Sequence, residues 1–481
     1  MNKRAESRSE RDEGGEISIP AGALWGARSA RARERYAISG LKPHARLIDA
    51  SVLLKKAAAL VNCESGALEE SVARAIAQAA DEILNGQWRD QFVIDPYQAG
   101  SGSAHNANVN EVLANRAAEI LGGQPGSYEL VHPDLHVNYG QAASCFFPAA
   151  MRVAILLSAR ELSPALLDLE RLLRRKALEF DRIVKVGRPH LRDSLPVTLG
   201  QEFNAFGSAI ERSCRRIAEA GHGLAELNTG ATAVGTGIAM RAGQSLKVVE
   251  RLGQLTGLAV RPAEDHFRLA QTATDFLHFS ASLRELSVEL IKISGDLRLL
   301  SSGPQAGLRE ILLPAEVLEP HPVAPQALPP TSSPGLSECL SMVAYQVIGN
   351  DTAVMLASQA GQLESNVMTP LIAHNILQSM DLLRNALASF NQHCVAGITA
   401  NAARCRELLE LTDGPVLALS AHLGLAKAKA VAEEVAASGK TFKQVLLDQG
   451  LVPPEAVDAI LSCRVLTQPG VVDTAGGAGD G

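Results

Sequence analysis

Residues Leu277-His-Phe-Ser-Ala-Ser-Leu-Arg-Glu-Leu-Ser-Val-Glu-Leu-Ile-Lys-Ile-Ser-Gly-Asp-Leu-Arg-Leu-Leu300 decide the fold of this chain. Apolar side chains recur at Leu277, Phe279, Leu283, Leu286, Leu290, Ile293, Leu297 and Leu300, mostly three or four apart, which puts them on one face of a single long helix. The same period runs through Leu53 to Leu84, Ala149 to Phe180, Phe203 to Leu227 and Met342 to Ser389, while alternating β-type segments are scarce. The chain reads as all-α (mainly helical). Several of its helices exceed the ~11 to 12 residues usual in globular proteins and carry more apolar face than one subunit can bury, so an oligomer is expected.

With 46% hydrophobic and 20% charged residues in 481, the composition is globular. The net charge of -7, with Lys and Arg scattered, offers no basic stripe to follow a phosphate backbone, which argues against nucleic acid. No uninterrupted apolar run nears the ~18 residues of a membrane span, and the charged start from Met1 to Glu13 lacks a signal peptide's apolar core. No membrane partner and a cytoplasmic location are expected. Seven cysteines without a CxxC pair indicate reduced thiols, neither a disulfide framework nor a zinc site. Residues 1–16 and the Gly-rich tail 470–481 read as disordered ends. Prolines crowd the stretch from Pro314 to Pro334, which must be a long loop and the first place to look for chemistry or its loss.

Five segments carry a resemblance: Gly100-Ser-Gly-Ser-Ala-His-Asn-Ala-Asn-Val-Asn-Glu111, His132-Pro-Asp-Leu-His-Val-Asn138, Gly187-Arg-Pro-His-Leu-Arg-Asp193, Gly230-Ala-Thr-Ala-Val-Gly-Thr-Gly237 and Gly397-Ile-Thr-Ala-Asn401. In order and spacing they resemble the aspartase/fumarase superfamily over residues 17–469, and the segments Pro262 to Asp265, Leu300 to Pro304 and Val347 to Asp351 look more like the aspartate ammonia-lyase branch. The resemblance implies an N-terminal domain at 17–148, a central bundle of long helices at 149–400 and a small helical C-terminal domain at 401–469. It also implies a homotetramer with active sites built from three subunits, and reversible elimination to fumarate without metal or organic cofactor. The protein alone must then supply a base for the Cβ proton and donors for the dianion that forms.

Against that chemistry the residues are eroded. Where the family loop carries a base serine, a lysine and an asparagine, this chain places Gln326, Thr331 and Ser333, with Ser332 and Ser333 the only nearby serine pair. Where the family has two hydroxyl residues, Asn and Asp after Val137-Asn138, this chain has Ala142, Ala143, Ser144 and Cys145, so hydroxyls and an amide for the substrate carboxylates are missing. Cys145 replaces an acid and reads as packing filler. Pro189 removes a hydroxyl and an N–H from the family's Gly-Arg-Thr-His segment.

What survives is the pair His190 and Glu338, which the resemblance makes catalytic partners across a subunit boundary. Ser103, Asn106 and Asn138 also follow the pattern and, with Ser144, are candidates for substrate binding; capping and packing are the other reading of the asparagines in the first segment. Losing a general base costs ~10² to 10⁴ in rate and each oxyanion donor ~10² to 10³, so ordinary aspartase turnover is not expected. Two expectations follow: an impaired or inactive lyase scaffold that binds a small dicarboxylate or amino acid, or an active paralogue, and, against it, an active lyase with a rebuilt site.

Overall fold

A computed structural model describes residues 7–238, 240–314 and 334–468. It opens on a hairpin, β1 (Ser7–Asp12) paired antiparallel with β2 (Gly15–Pro20). This differs from the disorder expected through residue 16, and the cause is that two charges of the run turn inward. Arg8 donates to Glu10 Oε1 at 2.8 Å and to the carbonyls of Ala21 and Trp25 at 3.0 Å, while Glu10, only 5% exposed, accepts from the Ala27 N–H at 3.0 Å.

Helices follow: α1 (Ala27–Arg35), α2 (Ala45–Glu64), α3 (Glu70–Leu84), α4 (Ser103–Ile120), α5 (Ala143–Glu179), α6 (Leu199–Leu224), α7 (Gln244–Thr256), α8 (His266–Gln271), α9 (Thr274–Leu300), α10 (Gly335–Ser358) and α11 (Thr369–His393). Short helices complete the chain: α12 (Ala402–Glu410), α13 (Gly414–Leu423), α14 (Leu425–Ser438), α15 (Phe442–Asp448), α16 (Pro454–Ile460) and α17 (Cys463–Thr467). The remaining strands are two- or three-residue pairs: β3 (Val184–Val186) with β4 (Pro196–Thr198), β5 (Glu226–Leu227) with β6 (Arg261–Pro262), and β7 (Ile311–Leu312) with β8 (Thr399–Ala400). The fold is all-α.

The stripe that opened the sequence reading is buried in α9, where Phe276, Phe279, Leu283, Leu286, Leu290, Ile293, Leu297 and Leu300 are each at most 6% exposed. Phe276 holds the place expected of Leu277, which is half-buried. Among the described residues α5 is the one helix long and apolar enough to pass for a membrane span, yet 67% of its most apolar window is buried within the chain, as in a core helix.

The residues cluster into two compact units, each assembled from separate stretches. The first takes 1–164, 213–287 and 343–385, the second 165–212, 288–342 and 386–481. In the first, α2, α3 and α4 pack around Val52, Ile76, Val109 and Leu113, and the buried Arg152 is held by Asp275 at 2.7 Å and the Gly223 carbonyl at 2.8 Å. In the second, α13 to α16 close a small core of Leu419, Val431, Phe442, Leu446 and Val457.

Candidate functional site

Two polar clusters collect the segments that carry the resemblance, one in each unit. In the first unit α4 begins where Gly102 takes a left-handed φ of +81°, and a Cβ there would lie 2.2 Å from the Phe147 ring, so only glycine starts the helix at this point. The next turns carry Ser103, exposed, and Asn106, buried. Asn106 Nδ2 donates to Asn138 Oδ1 at 3.2 Å, and Asn138 sits at the end of a single wide helical turn, Pro133–Val137. Such turns recur at functional sites. The same Asn138 oxygen accepts from Lys55 Nζ at 2.8 Å.

Lys55 lies on α2, wholly buried, with its ammonium 3.9 Å from the centre of the Phe146 ring and no carboxylate paired with it among the described residues. Burial drives its pKa well below the usual lysine range, with Cys145 and Asp134 opposing weakly. Beside it His105 is pushed down to about 3, by burial and then by Lys55, and its Nε2 meets Ser51 Oγ at 2.9 Å. Asn106, Asn138 and Lys55 therefore form one dry polar knot. Asn106 and Asn138 were legible in the sequence, whereas Lys55 was not, because it stands in an apolar helical run where a lysine gives no motif.

Ser144, in the first turn of α5, spends its hydroxyl on the carbonyls of Thr232 at 3.1 Å and Ala233 at 3.2 Å. It thus ties α5 to the Gly230–Gly237 loop, and neighbouring Ala142 and Ala143 bring no donor of their own beyond the backbone. Cys145 is buried and directs its thiol to the Ala142 carbonyl at 3.2 Å, as packing filler does. The cavity beside Gln141, Cys145 and Phe146 has about 20 Å³, room for a water and far less than a dicarboxylate needs.

The later part of the first segment proves structural. Glu111, 4% exposed, accepts the N–H groups of Gly26 at 2.8 Å, Arg28 at 3.0 Å and Ser29 at 3.2 Å, and so caps the N-terminus of α1 from another part of the chain. Asn108 accepts from the Val93 N–H at 3.1 Å and donates to the Gln91 carbonyl at 3.2 Å. Asn108 is thus engaged in packing, and Asn106 in its contact with Asn138.

In the second unit Arg188 anchors its segment. Its Nη1 lies 3.0 Å from both oxygens of Glu310, a fully buried carboxylate that also pairs with Lys185 Nζ at 3.1 Å, and Lys185 in turn meets Glu202 at 2.8 Å. The same burial, with Glu310 next to it, raises the Cys405 thiol to about 12, so that cysteine is inert. Nothing in the sequence announced Glu310, which stands outside every quoted segment. Past Arg188, His190 is exposed at φ +56° and makes no hydrogen bond or ion pair among the described residues. Glu338, at the start of α10, pairs with Arg298 at 3.1 Å. The two are not partners within one chain. Gln326, Thr331 and Ser333 lie outside the described residues.

An all-α chain of long helices with these loop segments fits the scaffold of the aspartase/fumarase lyases, and comparison with known proteins agrees. A family described as lyase matches residues 15–349 and one described as fumarase C C-terminus matches 416–468. The chain belongs to the aspartase/fumarase superfamily. It is 40% identical over 471 residues to an aspartate ammonia-lyase of Bacillus subtilis, covering 98% of both chains, and 42% identical over 454 residues to a class II fumarate hydratase of Thermosynechococcus vestitus, covering 94% of this chain and 96% of the relative. Among solved structures, a fumarate lyase/delta crystallin of Brucella melitensis bound to cobalt matches with a TM-score of 0.89 at 38% identity, covering 95% of this chain and 98% of the other.

Proposed function

We propose that this chain is an aspartase-like member of the superfamily that keeps the scaffold and its assembly but has lost ordinary lyase turnover, and that it binds a small dicarboxylate or amino acid. The observation that carries the reading is at the start of α5: the one hydroxyl left in that segment, on Ser144, is committed to the carbonyls of Thr232 and Ala233, and its neighbours are Ala142 and Ala143. A carboxylate arriving there meets no side-chain donor from 142 or 143, and stabilising the dianion is the costly part of the reaction. On this reading four copies bring His190 of one chain to Glu338 of another, no metal or organic cofactor takes part, and the protein works in the cytoplasm, alone or beside an active paralogue.

A second reading, an active lyase with a rebuilt site acting on aspartate or a related succinate-derived substrate, draws on the enzyme names of relatives near 40% identity and on the buried Lys55 amine. One assay separates them. With aspartate, and with fumarate plus ammonia or other amines, absorbance of fumarate should stay flat while succinate or aspartate raises the melting temperature. Turnover approaching ~10 s⁻¹, the median for enzymes, would sink the first reading and establish the second.

A further inference from the structure

A cavity of about 650 Å³ lies between the segment that follows the N-terminal hairpin and the turn at 90–95, and shares no residue with the Asn106, Asn138 and Lys55 knot. Its volume is that of a small-molecule pocket. Trp25, 7% exposed, and Tyr36 give it aromatic walls, and Arg33 sits over the Trp25 ring at 5.7 Å from the centroid with Lys42 also lining the space. The donors and acceptors of this lining are unequal. The Trp25 indole N–H, the Tyr36 hydroxyl, the Arg33 guanidinium and the Lys42 ammonium have no hydrogen-bond or ion-pair partner among the described residues, the two cations being exposed to solvent. Most acceptors are already engaged: Asp95 takes the N–H groups of Ser39 at 2.7 Å, Gly40 at 3.0 Å and Tyr97 at 2.9 Å, and Gln91 Oε1 takes that of Leu24 at 2.8 Å, while the exposed Asp90 takes only the Gln91 amide at 2.9 Å, on one oxygen.

We propose that this cavity is a second ligand site, for a planar ring compound bearing an anionic group, with the ring against Trp25 and Tyr36 and the anion between Arg33 and Lys42. Four donors without a protein partner, two of them cations, outnumber the acceptors left free beside them, which selects a ligand rich in acceptors, and the guanidinium lying over the Trp25 indole offers its own flat face to a ring. The anion's source, phosphate or carboxylate, is what the probes distinguish.

Trp25 and Trp88 are the two tryptophans of the chain, so a Trp88→Phe variant makes Trp25 the sole reporter. Its fluorescence is followed against adenosine monophosphate, benzoate and inorganic phosphate, with calorimetry on the unaltered chain as the measurement that does not depend on the variant folding. Saturable quenching by adenosine monophosphate or by benzoate is expected, weakened about tenfold or more by Arg33→Gln and by Lys42→Gln, as loss of one charge-assisted contact requires. Response to the nucleotide alone assigns a phosphate, to benzoate alone a carboxylate, and either supports the site. The proposal is overturned if neither ring compound binds in the millimolar range by both methods, if binding is unchanged in both charge variants, or if inorganic phosphate quenches as well as the ring compounds do. No lyase activity enters this readout, so it stands or falls apart from the proposed function.

Discussion

Lys55 sits in an environment far from what its chemistry prefers. A buried ammonium with one amide oxygen at 2.8 Å and a ring face for company remains largely uncompensated, and burial lowers its pKa accordingly. Below the ordinary value of ~10.4 the unfolded chain binds a proton that the folded chain resists, so stability rises with pH from the lowered folded value up to that figure. Lys55→Met should therefore stabilise the protein by about 1 to 4 kcal/mol at neutral pH, since Asn138 keeps its bond from Asn106, and the gain should shrink as pH approaches ~10.4. Urea unfolding of parent and variant at three pH values measures it, and a gain independent of pH would contradict the account. The sequence singles out Asn106 and Asn138 because they sit in recognisable segments. It could not reveal Lys55 or Glu310, whose meaning arises only when distant stretches pack and water leaves.

Among the elements, α9 was readable almost residue by residue, because an apolar stripe of period 3.6 marks the buried face of a helix. The N-terminal hairpin was not, since its charged sequence resembles a solvated tail until Arg8 and Glu10 find internal partners. The same limit holds for α1, whose N-terminus has no capping residue of its own: Gly26 precedes it, and Glu111 reaches in from α4. A side chain at position 26 would close that approach, as a Cβ there would lie 2.2 Å from the Tyr128 hydroxyl. Glu111→Ala should leave three N–H groups and the Ser29 hydroxyl without their acceptor. At ~1 to 3 kcal/mol for each buried group left unpaired, softened by relaxation of the helix end, we expect a loss of about 3 kcal/mol, read from a shifted urea midpoint. A loss below the ~1 kcal/mol typical of a surface cap would show that Glu111 has another role.

For the molecule as a whole, the proposed tetramer rests on apolar side chains that the single chain leaves in water. Val288 and Leu299 on α9, with Met342, Tyr345, Met355 and Leu356 on α10, are between 44% and 62% exposed. Light scattering should give four times 50.8 kDa, and Val288→Glu with Tyr345→Glu should lower that mass while leaving the helical signal intact, because neither side chain supports its own subunit's core. A monomer in the unaltered protein at micromolar concentration would refute the assembly. The discontinuous make-up of the two compact units bears on how such a chain is born. The stretch 1–164 leaves the ribosome without 213–287 and 343–385, the pieces that complete its core. At ~5 to 20 residues per second, the interval between making residue 164 and residue 385 is on the order of 10 to 40 s. Through that time the inner faces of α2 to α4 and the start of α5 lack part of their cover, which places the chain's aggregation risk before the end of synthesis.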